Sequence, residues 1–247
     1  MHSFDLSSKP SSYLMYYNVN NLYAWAICQP LPYAEFQWFE DAANFDVCAI
    51  APDSSTGYIF EVEYSQHLHD RHTDLLFCPT RDKPPGKRED KLLATLYDKQ
   101  RYVIHYRNLQ QCTRHGLRVT KIHRVLQFTQ SLWLRNYIEL NTQFRTRAKN
   151  DFEKNLYKRM NNAVFGKTTE NVRNHVDVKL ITKWDGRYGA EAMIAKPNFH
   201  SRSVFAENLI VVEIRKLEVK FDKPIYVDMC ILDISKVCLY EFHYEYM

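Results

Sequence analysis

Lys158, Asn162 and Phe165 are separated by four and then three residues. On a helix advancing 100° per residue this spacing puts all three on one face. Lys154 falls on that face one turn earlier and Arg147 three turns earlier. Phe152, Leu156, Met160 and Ala163 lie well around the helix and are expected to form the stripe that packs. An ammonium, an amide and a flat ring on one face suit a nucleotide: the cation for its phosphates, the ring and amide for its base. An ordinary amphipathic helix with a solvated basic face fits the same pattern.

The charge distribution points to the same segment. Across 247 residues the net charge is only +4, but Arg145 to His175 holds eight basic and three acidic residues. The rest of the chain is close to neutral, so this segment is the candidate phosphate-facing surface. Hydrophobic residues at 45% and aromatics at 14%, with 17 tyrosines, exclude a disordered chain and allow a sizeable core. Cys28, Cys48, Cys78, Cys112, Cys230 and Cys238 form no Cys-x-x-Cys pair, so they are expected to be reduced, mostly buried thiols of an intracellular protein. No apolar stretch at the start reads as a signal peptide, and no run is long enough to cross a membrane.

Several elements must position these residues. Tyr13 to Val19 reads as a short strand, and Asn20 and Asn21 offer capping side chains to a helix over LYAWAICQ, stopped by Pro30 and Pro32. Gly57 to Tyr64 reads as a strand, and residues 81–90, with Pro-Pro-Gly, as an exposed loop. Lys91 to Gln111 is expected to be a helix followed by a strand. One long helical region is expected from Ser131 to Phe165, terminated by Gly166. Val176 to Lys183 and Leu209 to Val219 read as strands, and Ile231 to Tyr246 as a last helix.

Lys158-Arg-Met-Asn-Asn162-Ala-Val-Phe165-Gly166 resembles motif B of family B DNA polymerases, Lys-x3-Asn-Ser-x-Tyr-Gly, with Ala163 for serine and Phe165 for tyrosine. The resemblance implies that Lys158 grips an incoming triphosphate and that Asn162 and Phe165 touch the nascent base pair. Arg147, Lys154, Gly166 and Lys167 are expected to meet DNA. The wider block KNDFEKNLYKRMNNAVFGKTTENVR is similar to the version in polymerases of large self-synthesising (Polinton/Maverick) DNA transposons, which belong to the protein-primed branch.

Motif A of that family reads Asp-x-x-Ser-Leu-Tyr-Pro, and Asn18-Val-Asn-Asn21-Leu22-Tyr23-Ala24 resembles it. Tyr23 then matches the residue that screens out ribonucleotides. Asn20 and Asn21 fall near the triphosphate, and the Val19 carbonyl is a candidate metal contact. The family's magnesium ions, however, need carboxylates, and position 18 is an amide. A lost charge contribution of several kcal/mol corresponds to roughly a thousandfold or more in rate. Motif C, Tyr-x-Asp-Thr-Asp, does not occur: Tyr226-Val-Asp228 is its nearest imitation, and Asp228 is not expected to ligate metal. Lys223 to Tyr244 resembles the segment that lies upstream of motif C, so the chain is expected to stop just before that hairpin.

The implied fold class is α+β: a polymerase palm of mixed sheet with helices, helical fingers and an inserted subdomain, with thumb and exonuclease domain absent. The implied division is a palm segment with motif A over 1–60, an insertion over 60–120, fingers with motif B over 121–175 and a second palm segment over 176–247. Implied partners are primer–template DNA, a deoxynucleoside triphosphate and a terminal protein, with magnesium binding doubtful. The expected location is intracellular, nuclear if the gene belongs to a host. The function expected is a polymerase fragment that binds DNA and nucleotide but does not extend DNA alone. The alternative is a non-enzymatic DNA- or protein-binding remnant. His67, His69 and His72, with Asp70, Asp74 and Cys78, read as a polar loop, since three close histidines seldom complete a zinc tetrahedron without a converging fourth ligand.

Overall fold

A long antiparallel ladder organises the chain. β2 (Thr56–Ser65) lies between β6 (Arg118–Ser131) and β5 (Lys99–His105), and β1 (Leu31–Phe39) closes the other side, giving the order β1-β6-β2-β5. The structure is a computed structural model that describes Tyr16, Val19 and residues 21–65 and 75–246. Most of the strand expected over Tyr13–Val19, and His67, His69, His72, Asp70 and Asp74, lie outside the described residues.

β2 is the central strand because both of its faces are apolar. Ile59 and Phe60 point to opposite sides, as a period of two requires, and each enters a different core. On one side Phe60, Val62, Tyr64, Ile104 and Val125 pack with Leu109 and Cys112 of α2 (Tyr106–Arg114). On the other, Ile59, Leu31 and Phe128 pack with Ala26 and Ile27 of α1 (Leu22–Ile27) and with Val227, Cys230, Ile231 and Ile234 of α6 (Ile225–Tyr246). Tyr240, further along α6, belongs to the first core, so one helix serves both.

Three expectations fail here: the order of elements over 91–111, one continuous helix from Ser131 to Phe165, and its termination at Gly166. Residues 91–111 hold strand then helix, not helix then strand. Tyr102, Val103 and Ile104 pair with Val62, Glu61 and Phe60, while Tyr106, Leu109 and Cys112 give α2 its buried face. β1 carries no readable period because it is an edge strand, exposed over most of its length. Pro32 is tolerated there because an edge needs fewer backbone donors. The continuous helix over Ser131–Phe165 is instead two, α3 (Arg135–Arg147) and α4 (Asp151–Thr168). Asn150 ends the continuity by capping α4: its side chain accepts the Glu153 N–H at 2.9 Å, while the Lys149 N–H donates back to Glu153 at 3.1 Å. Gly166 does not terminate the helix, which runs on to Thr168.

β3 (Thr80–Asp82) and β4 (Lys91–Leu93) form a two-stranded ribbon around the exposed loop read at 81–90. β7 (Val176–Ile181), β8 (Phe199–Ala206) and β9 (Leu209–Arg215) form a separate antiparallel sheet, order β7-β9-β8. With α5 (Ala190–Ile194) it encloses a small core of Ile181, Ala190, Met193, Ile210, Val212 and Ile214. The α+β expectation is met, and every pairing described is antiparallel. All six cysteines are free; Cys78, Cys112 and Cys230 are buried, Cys28 and Cys238 half-buried, Cys48 exposed. Among the described residues no helix is long and apolar enough to cross a membrane.

Gly57, opposite Phe128 in the ladder, sits where there is no room for a side chain. A Cβ there would press on the Phe128 ring and sit 2.6 Å from Gln130 Oε1. Gly57→Ala is expected to destabilise the fold by about 1–3 kcal/mol, read as a lower urea midpoint with an unchanged slope.

Candidate nucleotide site between α1 and α4

α1 is only six residues long, and it is placed by packing rather than by its caps. Asn21 takes a left-handed backbone conformation (φ 64°), which asparagine tolerates better than most residues. Its side chain makes no cap hydrogen bond, contrary to the expectation. Ala24, Ala26 and Ile27 turn inward, leaving Tyr23 half-exposed on the opposite side. There its ring lies flat on Phe165 of α4, with centroids 4.6 Å apart and planes 9° from parallel. Offset stacks of this kind contribute about 0.5–1.5 kcal/mol beyond area burial.

Phe165 is partly buried against the α1/α6 core, and Asn162 and Lys158 continue its face along α4, both exposed. Lys158 has no ion-pair partner among the described residues. Lys154 reaches Asp151 at 3.7 Å, and Lys167 reaches Glu170 at 2.9 Å. The structure therefore brings Tyr23, Phe165, Asn162 and Lys158 to one surface. Arg147 is separated from them as the last residue of α3. Gly166 is exposed beside Phe165, with open space where a side chain would stand. Val19 is exposed, and Asn18 and Asn20 lie outside the described residues.

The expected packing stripe of α4 is corrected. Phe152 is 77% exposed, and Leu156 and Ala163 are exposed as well. The better-covered row is instead half-buried Tyr157, stacked on Phe144 of α3 at 5.4 Å, then buried Asn161, bonded to Thr142 at 3.4 Å, then half-buried Val164 and Thr168; of the expected stripe only Met160 is half-buried. The covering element decides the face. α3 runs antiparallel beside α4, and α1 with α6 cover only its C-terminal turns, so apolar residues in its first turns meet solvent.

Two contacts with no obvious sequence signal fix the end of α4. The Thr168 hydroxyl donates to Asp228 in the first turn of α6, joining the two helices. Asp228 is 2% exposed, and burial raises its carboxyl above the usual range while the Thr168 hydrogen bond opposes that rise. One turn on, Glu170 gathers Lys167, His175 (3.1 Å) and Lys223 (3.5 Å). The hydrogen bond and charge of Lys167 foremost, with the hydrogen bond from His175, hold its carboxyl down to about 2.

The donor set does not fit a divalent metal pair. Among the described residues no three His, Cys, Asp or Glu side chains converge, and position 18 is an amide. Asp228 is engaged inside the helix packing rather than presented to solvent.

The sequence model of the family described as DNA polymerase type B, organellar and viral, matches residues 7–246. This chain belongs to that family. Its fold is similar to Phi29 DNA polymerase in an orthorhombic crystal form, with a TM-score of 0.52 at 15% identity over 92% of this chain and 35% of that one. The Phi29 polymerase complexed with primer–template DNA and incoming nucleotide substrates gives a TM-score of 0.50 at 17% identity, again over 92% and 35%. The chain thus spans about a third of the length of the polymerases it matches. No curated protein matches it.

Within this type B polymerase chain, the joint under Phe165 is testable through Asp228. Burial favours its protonated form, so the fold loses stability as pH rises above the ordinary aspartate value of 3.8. Asp228→Asn retains an acceptor for Thr168 without the charge. It is expected to be at least as stable as the parent at neutral pH, with the gap between the two closing on acidification, as followed by thermal melts.

Proposed function

We propose that this chain is the palm-and-fingers portion of a protein-primed family B DNA polymerase, similar to those of Polinton/Maverick transposons, and binds nucleotide and DNA without extending DNA alone. The observation that carries this reading is the Tyr23–Phe165 stack on the same surface as the exposed Asn162 and Lys158, which has no ion-pair partner among the described residues. The arrangement offers a cation for a triphosphate and an aromatic platform for a base and sugar. Asn20 and Asn21 complete the phosphate side, and Arg147, Lys154, Gly166 and Lys167 contact primer–template DNA. The segments 1–60, 60–120, 121–175 and 176–247 serve as palm, insertion, fingers and palm, with a terminal protein as partner of the insertion. The protein works inside the cell, in the nucleus where a host genome encodes it.

Inactivity follows from charge. Asn18 brings no negative charge to a divalent cation, and no Tyr-x-Asp-Thr-Asp sequence supplies a second carboxylate within these 247 residues. The same amide favours a second reading, a non-enzymatic remnant that binds DNA or protein only.

Nucleotide binding separates the two. Lys158→Ala is expected to weaken binding of a fluorescent deoxynucleoside triphosphate about 10- to 100-fold, the loss of one charge-assisted phosphate contact, with an unchanged melting temperature. No measurable nucleotide binding by the parent chain would favour the remnant. DNA affinity is expected to fall steeply with salt and to drop further in Lys154→Ala/Lys158→Ala, measured by fluorescence anisotropy. In a primer-extension assay with magnesium the purified chain is expected to add no nucleotides; robust extension would overturn the assignment of Asn18 as disabling.

A further inference from the structure

Two thiols in the first core lie against each other. Cys78 Sγ and Cys112 Sγ are 3.9 Å apart, with Cys78 1% and Cys112 0% exposed. Cys112 sits on α2, where its thiol also donates to Asn108 at 3.6 Å. Cys78 lies on irregular backbone between β2 and β3, in a left-handed conformation (φ 55°).

The segment carrying Cys78 is held in register by other contacts. The Tyr240 hydroxyl donates to the Leu76 carbonyl at 3.0 Å, the Tyr102 hydroxyl to that of Pro79 at 3.3 Å, and the Tyr244 hydroxyl to that of Leu75. Phe77 packs on the Tyr240 ring at 4.5 Å. A disulfide has sulfurs about 2.05 Å apart, so closing this pair takes less than about 2 Å of movement. The irregular backbone at Cys78 can supply it while the helix holds Cys112 in place.

We propose that Cys78 and Cys112 are a modification site, closing to an intramolecular disulfide on exposure to a disulfide oxidant of the glutathione class. When the 75–79 segment opens, the Cys78 thiolate attacks one sulfur of glutathione disulfide and releases one glutathione. The Cys112 thiolate then attacks the Cys78 sulfur of the mixed disulfide and releases the second. The two thiol protons pass through solvent to the departing thiolates, so the protein loses two hydrogens and the oxidant becomes two glutathiones. The product ties the segment before β3 covalently to α2, across the core that also holds Tyr240 of α6. Because both thiols are buried, the reaction waits on local opening, and urea below the unfolding transition accelerates it.

The test uses the fully reduced chain, incubated with glutathione disulfide, alkylated, and analysed by intact mass and peptide mapping. The expected product is about 2 Da lighter than the reduced protein before alkylation. It has four alkylated cysteines, a Cys78–Cys112 cross-linked peptide that dithiothreitol removes, and a melting temperature higher by about 5–10 °C. Cys78→Ser and Cys112→Ser should each abolish that product. Six alkylated thiols after exposure, a persistent glutathione adduct of about 305 Da, or a cross-link between other cysteines would overturn the proposal. The parent map alone decides the matter if either serine variant fails to fold.

Discussion

The carboxylate of Asp233 is the contact on which the arrangement of the helices depends. It is 3% exposed, accepts the backbone N–H of His105 at 2.8 Å, where β5 turns into α2, and takes Lys236 at 2.8 Å. A buried carboxylate without partners would be costly, so this pairing specifies where α6 sits on the sheet. Gln111 adds a second tie, donating to the Val237 carbonyl at 2.9 Å. Once α6 is fixed, its Val227, Cys230 and Ile231 form the bed for α1, and its Asp228 receives the end of α4. Tyr23 and Phe165, on elements far apart in sequence, meet because both elements rest on the same helix.

The site combines firm and loose parts. Its aromatic floor is anchored through Ile27, Val164 and the α6 core, while Lys158 and Asn162 project from a stretch of α4 braced mainly by α3. The cations around it divide by partnership. Lys154 and Lys167 have acidic neighbours three residues away, which hold them along the helix surface at a modest energetic gain typical of exposed pairs. Lys158 has no such neighbour among the described residues and can meet an external anion. The Glu170 cluster has a different role: it joins the end of α4 to the lysine that precedes α6.

Local patterns in the sequence were legible where one residue type had a local task. The strand at Gly57–Tyr64, the helix ending before Pro30, the exposed Pro-Pro-Gly loop and the last helix were all readable. The Asn150-x-x-Glu153 capping signal was present too, and it marks the break between α3 and α4 that hydrophobic periodicity alone passed over. β1 and β6 carried no comparable signal. One is an edge strand without alternation, and β6 is held on both sides by partners distant in sequence.

The sequence by itself determined the family, the face shared by Lys158, Asn162 and Phe165, and the amide at position 18. Each is a matter of residue identity and short spacing, which the chain carries before it folds. Only the tertiary structure decided which side of α4 packs and that Tyr23 stacks on Phe165. Those outcomes depend on which element covers which. Covering is set by long-range burial against α6 and the sheet, and local propensity does not encode it.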